Sequence, residues 1–205
     1  DMVSSIIQTT DGGYIVAGST ASKGAGSLNF WILKLDEKGD LIWDRTFGGR
    51  GSEMSRSIIQ TNDGGYAVAG YTSTKGFGLS SFWILRIDEK GNLLWDKTFG
   101  ESGHNDVYSF IQTNDGGYAV AGYTQTKNEN GLNMYIVKLD SQGNKLWDKT
   151  YGGNDYDEAR SIIQTTDGGY AVAGYTESKG ARVADSLILK LDRQGNLSEL
   201  IKEEL

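Results

Sequence analysis

The chain has no cysteine, no proline and only one histidine among its 205 residues. The first absence excludes disulfides, iron–sulfur ligation and thiol nucleophiles, and it leaves the compartment open. The second hands every turn to glycine, asparagine and aspartate. With His104 alone there is no Ser/His/Asp arrangement, and no glycine-rich phosphate loop precedes a helix. No apolar run approaches the ~18 residues of a membrane-spanning helix, and none of these residues reads as a signal peptide. The chain opens inside a repeat at Asp1, as a processed or trimmed protein would. The formal charge is −7 and the basic residues do not cluster, so nucleic acid is not an expected partner.

What the chain does have is a repeat. Asp-Gly-Gly begins at Asp11, Asp63, Asp115 and Asp167, a constant spacing of 52 residues. Each triplet follows Ile-Gln-Thr and one Thr or Asn, and precedes Tyr-x-Val-Ala-Gly. A unit this short cannot bury its own apolar face, so the copies must pack on one another. Apolar residues at 38% and aromatics at 11% supply a core. Glycine, at 29 residues, runs near twice the usual ~7%.

The second copy parses into four strands. Residues 53–61 are rich in β-branched side chains and end at Asn62-Asp63-Gly64-Gly65, a strong turn signal. Residues 66–72 form a second strand whose Ala and Gly suit close packing of neighbouring sheets. Residues 82–88 form a third, apolar on both faces, and a hairpin at Glu89–Asn92 leads to a fourth at 93–99. Four short strands per ~50-residue unit describe a β-propeller blade. A β-solenoid is the structural rival, but its coils are shorter and lack two hairpin turns per unit. The expected fold is therefore an all-β propeller of four antiparallel blades, about 1–52, 53–104, 105–156 and 157–205, in one domain. The alternative is an arc of a larger or oligomeric propeller.

The segment Trp83 to Trp95 (WILRIDEKGNLLW) resembles the Trp-bearing motif of quinoprotein-type propellers, in which a Trp after an Asp-turn-Gly hairpin meets the adjacent blade. Its turn is one residue shorter than that pattern and lacks the Thr before Gly. All four units are more similar to a repeat of secreted and surface proteins in bacteria and archaea, which reads roughly QTxDGGYxVAG…KxDxxGNxxW and spans the whole chain. The resemblance implies a propeller and a secreted or cell-surface location. It assigns no ligand.

Trp43, Trp95 and Trp147 hold one position of the fourth strand. They could stack on a flat ligand, but recurrence in successive copies favours packing between blades. Trp31, Trp83, Tyr135 and Leu187 form a second series that tolerates substitution, and less enclosed surroundings are expected there. Gln8, Gln60, Gln112 and Gln164 never vary and are expected to satisfy backbone groups rather than line a channel. Asp36, Asp88, Asp140 and Asp192 read as turn residues. A mostly acidic series, Asp1, Glu53, Asn105 and Asp157, precedes the first strand, with Asp106 and Glu158 next to it. Of these, Asp1, Glu53, Asp106, Asp157 and Glu158 are candidates for a cation site at a channel mouth, against a reading in which they pair with nearby Lys or Arg. No other cofactor is expected.

Function in repeat proteins tends to sit where loops vary on a common face. The second-to-third and fourth-to-first loops should share one face. There Arg50, Glu101, His104, Asn128, Glu129, Asn130, Asp155, Tyr156, Arg182 and Asp185 break the repeat. They are the candidate ligand surface, against a reading of free drift in solvated loops. The expected function is non-catalytic binding or scaffolding of a protein or glycan, by a monomer or a homo-oligomer that completes a larger ring. One alternative is a carbohydrate-active enzyme, a glycosidase or lyase using loop carboxylates such as Glu101 and Asp155. The other is a purely structural array. After Asn196 the repeat degrades, and residues 197–205 read as a poor outer strand or a short helix.

Overall fold

The computed structural model describes residues 1–76, 78–125, 131–178 and 184–202. Among them are sixteen strands and no helix. Four antiparallel sheets, each with its strands in sequence order, account for all sixteen. The first holds β1 (Met2–Gln8), β2 (Tyr14–Thr20), β3 (Asn29–Leu35) and β4 (Leu41–Phe47). The second holds β5 (Glu53–Gln60), β6 (Tyr66–Thr72), β7 (Ser81–Ile87) and β8 (Leu93–Phe99). The third holds β9 (Asn105–Gln112), β10 (Tyr118–Thr124), β11 (Asn133–Leu139) and β12 (Lys145–Tyr151). The fourth holds β13 (Asp157–Gln164), β14 (Tyr170–Thr176), β15 (Asp185–Leu191) and β16 (Leu197–Lys202). The strands expected in the second copy lie within one residue of β5–β8. Leu197–Lys202 is a strand, not a helix.

Two compact units divide the chain, Asp1–Gly100 and Glu101–Leu205. In the first, the Ile15/Ala17 face of β2 and Phe30 and Ile32 of β3 pack against Ile58 of β5 and the apolar side of β6 and β7. In the second, Ala119, Ala121, Met134 and Ile136 meet Ala159 and Ile162 of β13 and the residues behind them on β14 and β15. Small side chains on the second strand let the next blade's first strand come close.

The Trp series are enclosed in the opposite order from that expected. Trp83, Tyr135 and Leu187 are at most 3% exposed, whereas Trp43, Trp95 and Trp147 are only half-buried. The cause is position: the third strand is an inner strand covered on both faces, and the fourth is an edge. Phe30 lies 4.7 Å from Trp83, ring centre to ring centre. The indole N–H groups of Trp31 and Trp83 donate to Asp44 and Asp96 at 2.9 and 2.8 Å, and the Tyr135 hydroxyl donates to Asp148 at 2.6 Å. The same aspartates pair with Lys23 and Lys75 in the first unit.

A second clamp ties the third strand to the first turn. Lys34, Arg86 and Lys138 are at most 4% exposed, although each carries a charge within an apolar strand. Lys34 reaches Asp11 of the turn at 3.0 Å and donates to Leu35 O, and Lys138 does the same with Asp115 and Leu139 O. Arg86 pairs with Asp63, and Lys190 with Asp167 at 2.7 Å. The two glycines of the triplet serve different needs. Gly12 has φ +84°, a left-handed turn conformation, whereas a side chain at Gly13 would meet Leu35 O and the Lys34 amine.

The Thr9 hydroxyl and then Lys34 hold the Asp11 carboxyl at about 2, below its ordinary value. Asp63 is lowered by Thr61 and Arg86, and Asp167 by Lys190 and Thr165. Depressed carboxylates stabilise the fold above their unfolded value near ~3.9 and lose that contribution as pH falls through the folded value. These carboxylates are largely exposed, so solvent screening weakens the effect. The melting temperature should fall between pH 4 and pH 2. In Asp11→Asn the midpoint should already be lower at pH 7 and the acid loss shallower; parallel acid curves for the two proteins would contradict the clamp.

Candidate functional site

Each blade begins with a polar lock. Glu53 is fully buried; Oε1 accepts the hydroxyls of Thr72, at 3.1 Å, and Thr74, and Oε2 accepts Gly49 N–H at 3.0 Å. Asp157, also fully buried, accepts Thr176, Ser178 at 2.7 Å and Gly153 N–H at 2.9 Å. Asn105 fills the same place with an amide: its oxygen accepts Glu101 N–H and Thr124, and its nitrogen donates to Glu101 O and Gly103 O. Asp1 takes Thr20 at 2.7 Å and Ser22 at 3.0 Å. These side chains hold the incoming loop to the end of the second strand. Among the described residues, no three His, Asp or Glu side chains converge as a cation would require. Of the remaining cation candidates, Asp106 is buried and partnered, and Glu158 is paired with Arg160.

The loops expected to share a face do meet. In the first unit Ser27 N–H donates to Gly51 O, and Glu53 N–H to Leu28 O. In the second, Leu132 N–H donates to Asp155 O and Asp157 N–H to Leu132 O, while Gln125 exchanges bonds with Gly103 and His104. Arg50 is exposed in the first unit; Glu101, His104, Asp155 and Tyr156 are exposed in the second, and Asp185 is half-buried. Asn128, Glu129, Asn130 and Arg182 lie outside the described residues.

Sequence reading passed over the first-strand bulge. The register skips Ser4, Arg56, Tyr108 and Arg160, each between two residues that do have a cross-strand counterpart. A bulge re-aims its side chain. It also explains the glycine of the second strand: a side chain at Gly18 or Gly174 would meet the carbonyl of Met2 or Glu158 across the bulge, so the constraint lies within the blade rather than between sheets. The signal was the position just before the invariant Ser, which carries Ser, Arg, Tyr and Arg in the four copies.

In the second unit the bulges gather aromatic and charged groups. The Arg160 guanidinium lies 4.0 Å from the centre of the Tyr108 ring and 5.5 Å from that of Tyr175. It pairs at 2.7 Å with Glu158, whose carboxylate is 8% exposed. That oxygen is buried and accepts no well-aligned hydrogen bond, so the contact is ionic. Burial raises the Tyr108 hydroxyl far above its usual range, with the Glu158 charge adding to it; burial and Glu158 raise Tyr175 as well. Both phenols therefore stay protonated beside the Glu158 charge. Tyr123 lies 5.8 Å from Tyr108. Arg160 itself is half exposed.

The opposite ends of the strands are more regular. Trp43 donates its N–H to Glu89 O at 3.3 Å and edges a cleft of ≈470 Å³ with Tyr66 and Gln60. Trp147 donates to Arg193 O at 3.1 Å beside a cleft of ≈530 Å³. Gln60 accepts Thr10 N–H at 2.9 Å and Gln164 accepts Asn114 N–H at 2.8 Å, each from the preceding blade's turn. Gln8 and Gln112 donate to Gly12 O and Gly116 O. Recurrence of the same groove in both units marks it as scaffold.

No protein-family model matches the chain. It is 24% identical over 196 residues to the regulatory protein FlaEY of Caulobacter vibrioides, a match over 84% of this chain and 20% of that protein. The chain thus spans one fifth of this relative's length. Among solved structures it is similar to the Pan2 WD40 domain of Neurospora crassa, with TM-score 0.57, 12% identity, and 98% of this chain and 66% of that one covered. A putative exo-β-1,3-galactanase from Bifidobacterium bifidum gives TM-score 0.53 and 13% identity, covering 98% of this chain and 70% of that one. A thermostable family-43 glycoside hydrolase gives 0.51 and 13%, covering 97% and 74%. The WD40 and family-43 folds are propellers, and the four four-stranded sheets here are propeller blades. At such identities the likeness shows fold and nothing of activity.

If Glu53 is a lock, Glu53→Ala should cost about 2–4 kcal/mol in chemical denaturation, because its donors are left buried and unpaired. Glu53→Gln should cost less than half of that, since an amide does this work at Asn105. Equal losses would refute the lock.

Proposed function

We propose that the chain is a non-catalytic binding or scaffolding propeller, located outside the cell or on its surface. Its ligand, a protein or a glycan, meets the bulged starts of β9 and β13 and the variable loops beside them. One observation carries the reading. Arg160 is half exposed yet fixed, stacked over Tyr108 and paired to a buried carboxylate, at a position where the copies diverge. Tyr and Arg held rigid before contact lose little entropy on binding and dominate interface energetics. The invariant carboxylates, by contrast, are engaged in turns, locks and clamps of their own blades.

Binding can be measured by interferometry against arrayed oligosaccharides and candidate surface proteins. Arg160→Lys keeps the charge beside Glu158 but loses the planar stack. It should weaken binding about tenfold, some 1.4 kcal/mol, with an unchanged melting temperature. Undiminished binding by this variant would remove the site from the account. Oligosaccharide turnover abolished by replacing one loop carboxylate, Glu101 or Asp155, would install the enzymatic reading instead.

A further inference from the structure

Charge is nearly balanced around Arg160. Its guanidinium is neutralised by Glu158 at 2.7 Å, a carboxylate only 8% exposed. By sequence, the loops at that end of the second unit, residues 100–104, 125–132, 152–156 and 177–184, hold four acidic residues against three Lys or Arg. A charged ligand of either sign would therefore meet about as much repulsion as attraction.

The apolar centre that a protein interface needs is missing there as well. Among the described residues of the second unit, the exposed aliphatic side chains Leu146, Ile163 and Leu197 stand at the turn ends of their strands. At the loop end the exposed large hydrophobic is Tyr156. What that end presents is aromatic and hydrogen-bonding. Tyr108, Tyr123 and Tyr175 are half-buried, and the Tyr108 and Tyr123 ring planes stand at 46° to one another. Ring faces carry partial negative charge, which suits the partly positive C–H face of a sugar. The phenols of Tyr108 and Tyr175 stay protonated and so both donate and accept. The Arg160 guanidinium carries five N–H donors in a fixed fork, more than one carboxylate oxygen takes up. In the first unit Ser4, Ser19 and Met54 stand where Tyr108, Tyr123 and Glu158 stand here, and Arg56 lies 5.8 Å from the Tyr71 ring.

We propose that this cluster binds a neutral glycan, a chain of sugars bearing neither carboxylate nor sulfate. The C–H face of a sugar stacks on the tyrosines, and its hydroxyls take the guanidinium and phenol groups. This rests on Arg160 as the binding anchor, and it excludes the protein ligand that the anchor alone would admit.

Affinity electrophoresis of the 205-residue chain tests this, in gels containing neutral polysaccharides (β-glucan, galactan, mannan) or acidic ones (polygalacturonate, heparin). Interferometry on oligosaccharides of any retarding polymer gives the dissociation constant. At least one neutral polymer should retard the chain, with less than about a twofold change in dissociation constant between about 0.05 and 0.5 M salt. Acidic polymers should not retard it. Tyr108→Leu, which removes the ring, should weaken binding at least about tenfold. Tyr108→Phe keeps the ring and the melting temperature and should weaken it about threefold. Arg56→Lys, in the first unit, should leave binding unchanged. Retardation by no neutral polymer, or by acidic ones alone, overturns the proposal. If a surface protein binds instead and Arg160→Lys weakens it, the site stands and the glycan falls. A neutral glycan bound equally well by Tyr108→Leu and Arg160→Lys removes the site itself.

Discussion

A four-stranded sheet of this repeat has two apolar faces and, among the described residues, no helix to cover either, so its stability depends on a neighbouring sheet at ordinary packing distance. That distance is set by alanine. Ala17, Ala69, Ala119 and Ala121 are fully buried on second strands. In the first unit the first strand of the next blade enters against them with Ile58; in the second it enters with Ile162. Larger side chains there would push the sheets apart, and smaller ones on the first strand would leave voids. The third strand, held between, becomes the most enclosed element, which is why all seven residues of β7 are buried.

The polar architecture follows from that closeness. Little water enters between the sheets, so each charge near the core has a fixed partner: Lys34 with Asp11, Arg86 with Asp63, Lys138 with Asp115. These pairs fasten the first turn to the third strand, while Glu53, Asn105 and Asp157 fasten the incoming loop to the second. Turn and loop ends of the blade are thereby pinned independently of the apolar core. A bulged residue between two pinned ends is free to vary without loosening its strand. Ser4, Arg56, Tyr108 and Arg160 show that freedom, and in the second unit it has produced an ordered aromatic and ionic surface.

Strand and turn placement was legible in the sequence because Asp-Gly-Gly and the Glu89–Asn92 hairpin bracket each strand in a fixed register. The turn role of Asp36 and its counterparts was legible too, since each accepts the backbone N–H groups two and four residues on. Enclosure of the Trp series was not. Strand residues 82–88 are apolar on both faces, so alternation cannot say which face is deeper; edge against centre decides it. The burial of Lys34 had a trace, a cation recurring 23 residues after the triplet Asp, but charge in a strand reads as surface until its partner is placed. The cluster at Arg160 escaped because spacing alone does not reveal a bulge. The acidic series was read as a cation site or as partners of nearby Lys and Arg, whereas the hydroxyls of Thr72 and Thr74 or Thr176 and Ser178 close around Glu53 and Asp157.

The dependence on blade-to-blade contact is tested most directly by comparing two equivalent alanines. Ala17 is fully buried against the next blade, and Ala173, its counterpart in the fourth, is only half-buried. Denaturant unfolding of Ala17→Leu should show a loss of about 1–3 kcal/mol from overpacking. Ala173→Leu should stay within about 0.5 kcal/mol of the parent. Equal losses at both sites, or none at Ala17, would contradict the account and return the stability of each blade to its own four strands.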